Sequence, residues 1–330
     1  MGTQAIEVAR FGGPEVLALS SVPEPVAGPG QALVSVTAAD VLFLDTAIRS
    51  GRATAWFPVR PPYVPGGGVG GRVTAVGDGV DPAWAGRAVI ARTGAAGGTG
   101  GYAEQAVVPA DRLVAVPDGV DLAGATALLH DGATALGLAR HTGIQPTDWV
   151  LVLGAAGGLG LLLLQIAQAS GAQVIGAARG AAKLDVIRRR GAEAVVDYSQ
   201  PDWTAQVTAA TGGTGPDVVF DGVGGPLGTA AFGVLATGGR FSAHGAASGG
   251  FAAIDPAVAQ RRGVTVRGID QVQAGAGEHH ELAQRALALL AVGRLRPVIG
   301  QTWPLPRAAA AHAALEARTA IGKTLLTVGG

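Results

Sequence analysis

Trp149-Val150-Leu151-Val152-Leu153-Gly154-Ala155-Ala156-Gly157-Gly158-Leu159-Gly160 is the stretch whose reading decides the fold of this chain. Five apolar residues in a row suit a strand buried on both faces, as in a parallel sheet. The glycines after it make a tight turn and let the backbone approach a phosphate. The helix beyond offers unpaired N–H groups and the positive end of its dipole. Leu161 to Ser170 is apolar and free of glycine, Gly171 stands where a left-handed helix cap belongs, and Gln173-Val174-Ile175 opens another strand. Strand, turn, helix and strand together make a unit of about 30 residues, the length of a dinucleotide-binding βαβ element. The spacing is G-x-x-G-x-x-G through Gly154, Gly157 and Gly160, rather than the usual G-x-G-x-x-G. Pyrophosphate contacts are expected from Gly154, Ala156, Gly157, Gly158, Leu159 and Gly160.

The end of the second strand indicates which dinucleotide is bound. An NAD site places Asp or Glu there to hold the ribose 2′-hydroxyl, whereas this chain has Ala177-Ala178-Arg179, with Lys183 four residues on. A 2′-phosphate would be attracted by that charge, so the chemistry favours NADPH. Lys183 is one of only two lysines in a chain otherwise supplied with arginine, the other being Lys323. Tyr198, just after a third strand Ala194–Asp197, can pack beside an adenosine or serve the core.

A length of 330 residues predicts two domains. Zero formal net charge argues against an electrostatic nucleic-acid binder and against a polybasic membrane anchor. The chain has no cysteine, which excludes disulfides and thiolate-bound zinc and suits a reducing compartment. Met1 to Arg10 carries Glu7 and Arg10 and builds no signal-like apolar core. The longest apolar run, Val150 to Ile166, is broken by glycines and reads as strand plus buried helix. A cytoplasmic protein without a membrane span is expected.

Before the glycine turn, short strands separated by glycine and proline predict a barrel-like β module: Ala32–Ala38, Gly71–Val76, Ala88–Ala91, Tyr102–Val108 and Leu113–Val116. After it, strands alternate with helices. Trp149–Leu153, Gln173–Ala177, Ala194–Asp197, Asp217–Asp221, Arg240–Ala243 and Val264–Arg267 make the six strands of a doubly wound α/β sheet. The tail carries two helical stretches, Glu278–Val292 and Arg307–Arg318, and a strand, Lys323–Val328. It has no sheet of its own, so it is expected to return to the first domain. The predicted division is 1–121 and 267–330 for a discontinuous catalytic domain, with 122–266 as an inserted cofactor domain.

Several motifs along nearly the whole chain carry a family resemblance. They are Phe11-Gly12-Gly13-Pro14-Glu15-Val16-Leu17, Asp45-Thr46-Ala47-Ile48-Arg49-Ser50-Gly51, Tyr63-Val64-Pro65-Gly66, Gly101-Tyr102-Ala103-Glu104, Gly132-Ala133-Thr134-Ala135, the glycine turn itself and Gly322-Lys323-Thr324-Leu325. In these the chain resembles the zinc-independent medium-chain dehydrogenases/reductases of the quinone oxidoreductase, or zeta-crystallin-like, family. The resemblance implies a GroES-like catalytic domain, a Rossmann domain binding NADPH, and a homodimer paired through the edge strand 264–267. It further implies that Thr134 and the loop His244-Gly245 lie near the nicotinamide, and that Gly176, Arg179, Lys183 and Tyr198 lie near the adenosine phosphate. The chain departs from the family pattern at two positions. Leu42 stands where the family carries asparagine, and Gly68 where it carries glutamate. With Ala47 these predict a roomier, more apolar substrate pocket.

Without a thiolate and without that glutamate, a tetrahedral zinc set has no ligands, so metal-assisted alcohol oxidation is not expected. What remains is hydride transfer from NADPH to a quinone or to the conjugated C=C of an enone, with the oxyanion held by hydrogen bonds. Solvent is the favoured proton source. His130, Asp131, Tyr63, Tyr102 and His244 are side-chain candidates that read equally well as packing or capping residues, and His279 and His280 read as solvated surface. Two other readings remain: a biosynthetic enoyl reductase for a bulky polyketide-like or aromatic intermediate, and a low-turnover NADPH-binding sensor, structural or RNA-binding protein.

Overall fold

The computed structural model describes residues 2–94, 100–272 and 275–329. Contacts divide the chain into two units, Met1–His130 with Ala283–Gly330, and Asp131–Leu282. The first is discontinuous and the second inserted. The boundaries differ from those predicted at 121/122 and 266/267. Helix Leu122–Leu128 packs on strands Gln31–Val41, Gly68–Val76 and Lys323–Thr327, so it belongs to the β-rich unit. Residues 267–282 stay with the inserted unit, where helix Ile269–Val272 packs on strand Thr265–Gly268 and helix Asp131–Thr142.

The inserted unit is built on a six-stranded parallel sheet in the order Ala194–Asp197, Gln173–Ala178, Trp149–Leu153, Val218–Asp221, Arg240–Ala243, Thr265–Gly268. The first strand in sequence lies centrally and successive strands are added outward on either side. The direction of winding reverses between Trp149–Leu153 and Val218–Asp221, which is the switch point of a doubly wound fold. Leu151, Val152, Val219 and Phe220 are fully buried, as expected for strands covered by helices on both faces. The core continues through Ile175, Val207, Ala231 and Phe241.

The β-rich unit pairs Gly2–Val8 with Leu17–Pro23 as a hairpin. Its main sheet runs Ile299–Pro304, Lys323–Thr327, Gln31–Val41, Gly68–Val76, Ala88–Arg92, Leu113–Ala115, with Gln105–Pro109 also paired to Gln31–Val41. The tail thus supplies two strands. Lys323–Thr327 pairs antiparallel with Gln31–Val41, setting Leu325 opposite Asp40. Ile299–Pro304 was not anticipated, because Gly300 and Pro304 interrupt a strand pattern that alternates between half-buried and exposed residues. Tyr102 lies just before strand Gln105–Pro109 rather than inside it.

Candidate active site

In the inserted unit the glycine turn follows the strand at the switch point. Gly154 has φ +70°, a conformation that suits glycine. The Gly157 N–H donates to the Gly154 carbonyl at 3.0 Å, and the Ala155 N–H donates to Ala177 of the neighbouring strand at 3.0 Å. Gly157 caps helix Gly158–Ala169 in an extended conformation. A Cβ on Gly160 would lie 2.5 Å from the Gly154 carbonyl oxygen and 2.7 Å from Ala155 Cα. That close approach brings the helix's first turn, with N–H groups that have no partner within the helix, against the strand end. Gly158 and Leu159 occupy that turn, and Ala156 is buried behind it. These residues fit a dinucleotide pyrophosphate.

Two further turns stand at adjacent strand ends, and the residue that braces both was missed from the sequence. Asp221, wholly buried, ends strand Val218–Asp221. Its Oδ1 accepts the N–H groups of Val223 and Gly224 at 3.0 and 2.8 Å. Its carbonyl accepts those of His244 and Gly245 at 3.1 and 2.9 Å. Burial pushes its carboxyl above the usual range, against those two amide bonds. A Cβ on Gly245 would fall 2.1 Å from the Gly222 carbonyl carbon, so only glycine allows the loop to close. His244 Nδ1 lies 3.2 Å from both the Ser242 hydroxyl and the Ser242 carbonyl. Burial pushes its imidazole down to about 4, so it is neutral at pH 7 and a weak acid candidate. Thr134 is half-buried on helix Asp131–Thr142, and Asp131 lies in that helix's first turn.

At the end of Gln173–Ala178, Arg179 is exposed, Gly180 takes φ +88°, and Lys183 follows within helix Ala181–Arg189. Asp197 is a second missed residue. Its carboxylate accepts the Gly180 N–H at 3.1 Å and the Ser199 hydroxyl at 2.6 Å, and it holds the turn that presents Arg179. The Ser199 hydroxyl keeps Asp197 below the usual carboxylate range, with Arg179 contributing. Gly176 serves packing: a Cβ there would meet Ile187 Cγ2 at 2.2 Å, so its absence lets helix Ala181–Arg189 seat on the sheet. Tyr198 packs half-buried against the core of this unit.

In the β-rich unit the prominent feature is a buried cluster of charge. Asp40, wholly buried on strand Gln31–Val41, places Oδ2 2.7 Å from His130 Nδ1 and 3.4 Å from Lys323 Nζ. Burial would raise the Asp40 carboxyl, but His130 and Lys323 together hold it below its ordinary value. A Cβ on Gly68 would lie 2.4 Å from Leu129 Cδ2, 2.9 Å from His130 Cε1 and 3.1 Å from Asp40 Oδ1. The glycine therefore makes room for Leu129 and the cluster. Sequence reading missed Asp40, although a carboxylate between Ala39 and Val41 in an apolar strand was a visible signal.

Ala47 is half-buried and packs against the hydrophobic core. Leu42 is half-buried, and its N–H donates to Asp45 Oδ2 at 2.8 Å at the start of helix Phe43–Arg49. Tyr63 is buried, its hydroxyl has no hydrogen-bond partner among the described residues, and burial pushes it up to about 12. Tyr102 donates to Asp45 Oδ2 at 3.2 Å and lies 3.0 Å from His312 Nε2, an internal network that uses its hydroxyl structurally. His279 and His280 are half-buried rather than solvated.

Residues 28–118 match the Alcohol dehydrogenase GroES-like domain family, and residues 190–326 the Zinc-binding dehydrogenase family. Over 327 residues the chain is 33% identical to the quinone oxidoreductase of Sus scrofa, covering 98% of this chain and 97% of that protein. The chain belongs to the quinone oxidoreductase family. A 2-haloacrylate reductase from a Burkholderia species is 32% identical over 335 residues, with 98% of each chain covered. A mycobacterial structure complexed with NADPH matches with a TM-score of 0.88 at 34% identity, covering 98% of this chain and 99% of that one.

The zinc named in one family description does not fit this quinone oxidoreductase family member. It has no cysteine, and among the described residues no three His, Asp or Glu side chains converge as metal ligands. The carboxylate–imidazole pair at Asp40 and His130 already holds the Lys323 ammonium, whose charge opposes a second cation. Among the described residues no helix is long and apolar enough to cross a membrane.

Proposed function

We propose that the protein is an NADPH-dependent, zinc-independent reductase that delivers hydride to a quinone or to the conjugated C=C bond of an enone. The reading is carried by the glycine turn at the sheet's switch point, combined with Arg179 and Lys183 beyond the second strand. The quinone oxidoreductase and 2-haloacrylate reductase relatives support the same class of acceptor. NADPH, when bound, supplies the hydride. The first-turn amides of Gly158, Leu159 and Gly160 would hold its pyrophosphate, and Arg179 and Lys183 its 2′-phosphate. His244, Gly245 and Thr134 would shape the nicotinamide end. With no thiolate in the chain and no set of metal ligands among the described residues, the acceptor is expected to bring its own conjugation.

Preference for NADPH over NADH tests the cofactor assignment. Dissociation constants for both should show tighter NADPH binding. Arg179→Ala and Lys183→Ala should each weaken NADPH by roughly 1.5–3 kcal/mol, the worth of a charge-assisted bond, while NADH binding stays nearly unchanged. Equal affinity for the two cofactors in the parent protein would refute the preference. The acceptor is tested by following NADPH oxidation with a panel of small quinones, small enones and bulky conjugated carbonyls. Leu42, apolar where the family carries asparagine, favours the bulky apolar members, and a strong bias toward them supports a biosynthetic enoyl reductase. Binding of NADPH without oxidation by any acceptor would leave a sensor or structural role instead.

We further propose a homodimer joined through Thr265–Gly268, which has a strand neighbour on only one side and alternates exposed with half-buried residues. Light scattering should give twice the chain mass, and Val266→Pro should return it to one. The lack of cysteine suits the cytoplasm.

A further inference from the structure

We propose that the β-rich unit carries a binding site of its own, a cavity lined by Arg49, Arg52 and Arg318 that takes a small anion through its phosphate group. Every residue that forms it belongs to that unit, and it stands independently of the hydride-transfer reading.

The cavity, of about 450 Å³, lies where three segments meet: the Gly12-Gly13 turn, the end of helix Phe43–Arg49 with the turn after it, and the end of helix Ala308–Glu316. The Gly12 N–H donates to the Arg49 carbonyl at 3.2 Å, which ties the first segment to the second. The lining holds three guanidinium groups against the single carboxylate of Glu316, two positive charges in excess. A phosphate monoester dianion matches that excess, whereas a carboxylate meets half of it.

Arg49 is the residue that calls for a ligand. Its side chain is 1% exposed and its Nη2 is bonded to Glu316. Its Nε and Nη1 are buried with no hydrogen-bond partner among the described residues. Donors of a charged group left unbonded away from water are costly, and charge-assisted bonds to an oxyanion are among the stronger ones a protein makes. A structural arginine directs such donors at backbone carbonyls. Arg262 does so in the inserted unit, where Nη1 and Nη2 donate to the carbonyls of Phe232 and Leu235.

The other two guanidinium groups are positioned from their flanks. Arg52 Nε donates to the Ser50 hydroxyl at 2.9 Å, and that hydroxyl donates to the Ala47 carbonyl at 3.0 Å. Arg318 stands just past the end of helix Ala308–Glu316 with φ +59°, a place where glycine usually caps a helix. Among the described residues it is the one residue other than glycine with a positive φ. Its guanidinium lies over the Phe43 ring, 4.1 Å from the centroid. The chain thus accepts a strained backbone where glycine would relieve it, and gains a fixed cation on the cavity wall.

Calorimetry on the full chain tests the site, at fixed ionic strength and with saturating NADPH so that phosphate contacts of the inserted unit are already taken. Phenyl phosphate and inorganic phosphate are the probes, and benzoate is the control. Saturable binding of one phosphate per chain is expected, and the tighter of the two probes tells an esterified phosphate from a free one. Arg318→Gly keeps the helix stop, because glycine suits that φ, and Arg52→Gln alters an exposed side chain. Each should weaken phosphate binding by about tenfold in a chain that still unfolds cooperatively. In NMR spectra the Arg49 Nε–H signal should shift as phenyl phosphate is added and stay in place with sodium chloride. A parent chain that binds neither phosphate saturably, or binding that both variants leave intact, overturns the proposal. Benzoate bound as tightly as phenyl phosphate overturns the assignment to phosphate, and an unmoved Arg49 signal overturns that residue's part in the site.

Discussion

Tyr102 carries one hydroxyl proton and has two neighbours that compete for it. With that proton donated to Asp45 Oδ2, His312 must present Nε2–H to the phenol oxygen, which leaves its Nδ1 as the bare nitrogen. Burial pushes Asp45 up to about 6 and His312 down to about 3. These two shifts make opposite contributions to stability. Between pH 4 and 6 the folded state holds more protons at Asp45 than the unfolded chain, whose aspartate titrates near 3.9. Its contribution is therefore full below about pH 4 and is lost as pH rises through 6, a span worth up to roughly 3 kcal/mol. His312 stays neutral when folded but protonates near 6.5 when unfolded, so its contribution is lost as pH falls from 6.5 toward 3. Urea unfolding across this range should show Asp45→Asn gaining on the parent protein as pH rises from 4 to 6. His312→Asn should gain on it as pH falls below 6.5. Parallel curves would mean that neither group is perturbed.

Helix Leu122–Leu128 shows how a short element can place one member of a buried charged cluster. Its N-cap Asp121 accepts the Gly124 N–H at 2.7 Å, and Ala125, Thr126 and Leu128 are buried against the β-rich sheet. His130 follows two residues after Leu128, so the cap holds the register in which that ring meets Asp40. Asp121→Ala should cost about 1 kcal/mol in chemical denaturation and weaken the coupling of His130 to Asp40, while Asp121→Asn should largely restore both. The six parallel strands and the glycine turn were legible in the sequence, because buried strands write themselves as continuous apolar runs ended by glycine. The buried charged cluster was not. Asp40, His130 and Lys323 come from a strand, a helix end and a strand far apart in the chain, and their partnership exists only through register. Asp221 and Asp197 escaped for a related reason: their work is to tie backbone turns, and no spacing rule announces it. That Leu129 and His130 crowd the position of Gly68 was equally illegible, since both come from another element of the chain.

The whole chain folds as a unit interrupted by another. Asp131–Leu282 holds its complete sheet within one continuous segment, whereas the β-rich unit needs both ends of the chain. NADPH should therefore stabilise the inserted unit first, by about 2.7 kcal/mol at a hundredfold excess over its dissociation constant. Hydrogen exchange should show the gain around Gly154–Leu161 before it reaches Gln31–Val41. The discontinuity also imposes an order in time. As the ribosome delivers the chain, Asp40 emerges early and its strand finds Gly68–Val76 within a few dozen residues, but the ammonium that compensates its charge is Lys323, close to the end. Until then the end of the central strand, residues 38–41, lacks a neighbour on one side and carries a carboxylate without that counter-ion. The nascent β-rich unit therefore has to wait, while the inserted unit can close and begin to bind nucleotide. A chain stopped at residue 322 should bind NADPH, resist protease across 131–282 and be cut readily before residue 131; equal protection of both regions would show that the last strand is dispensable.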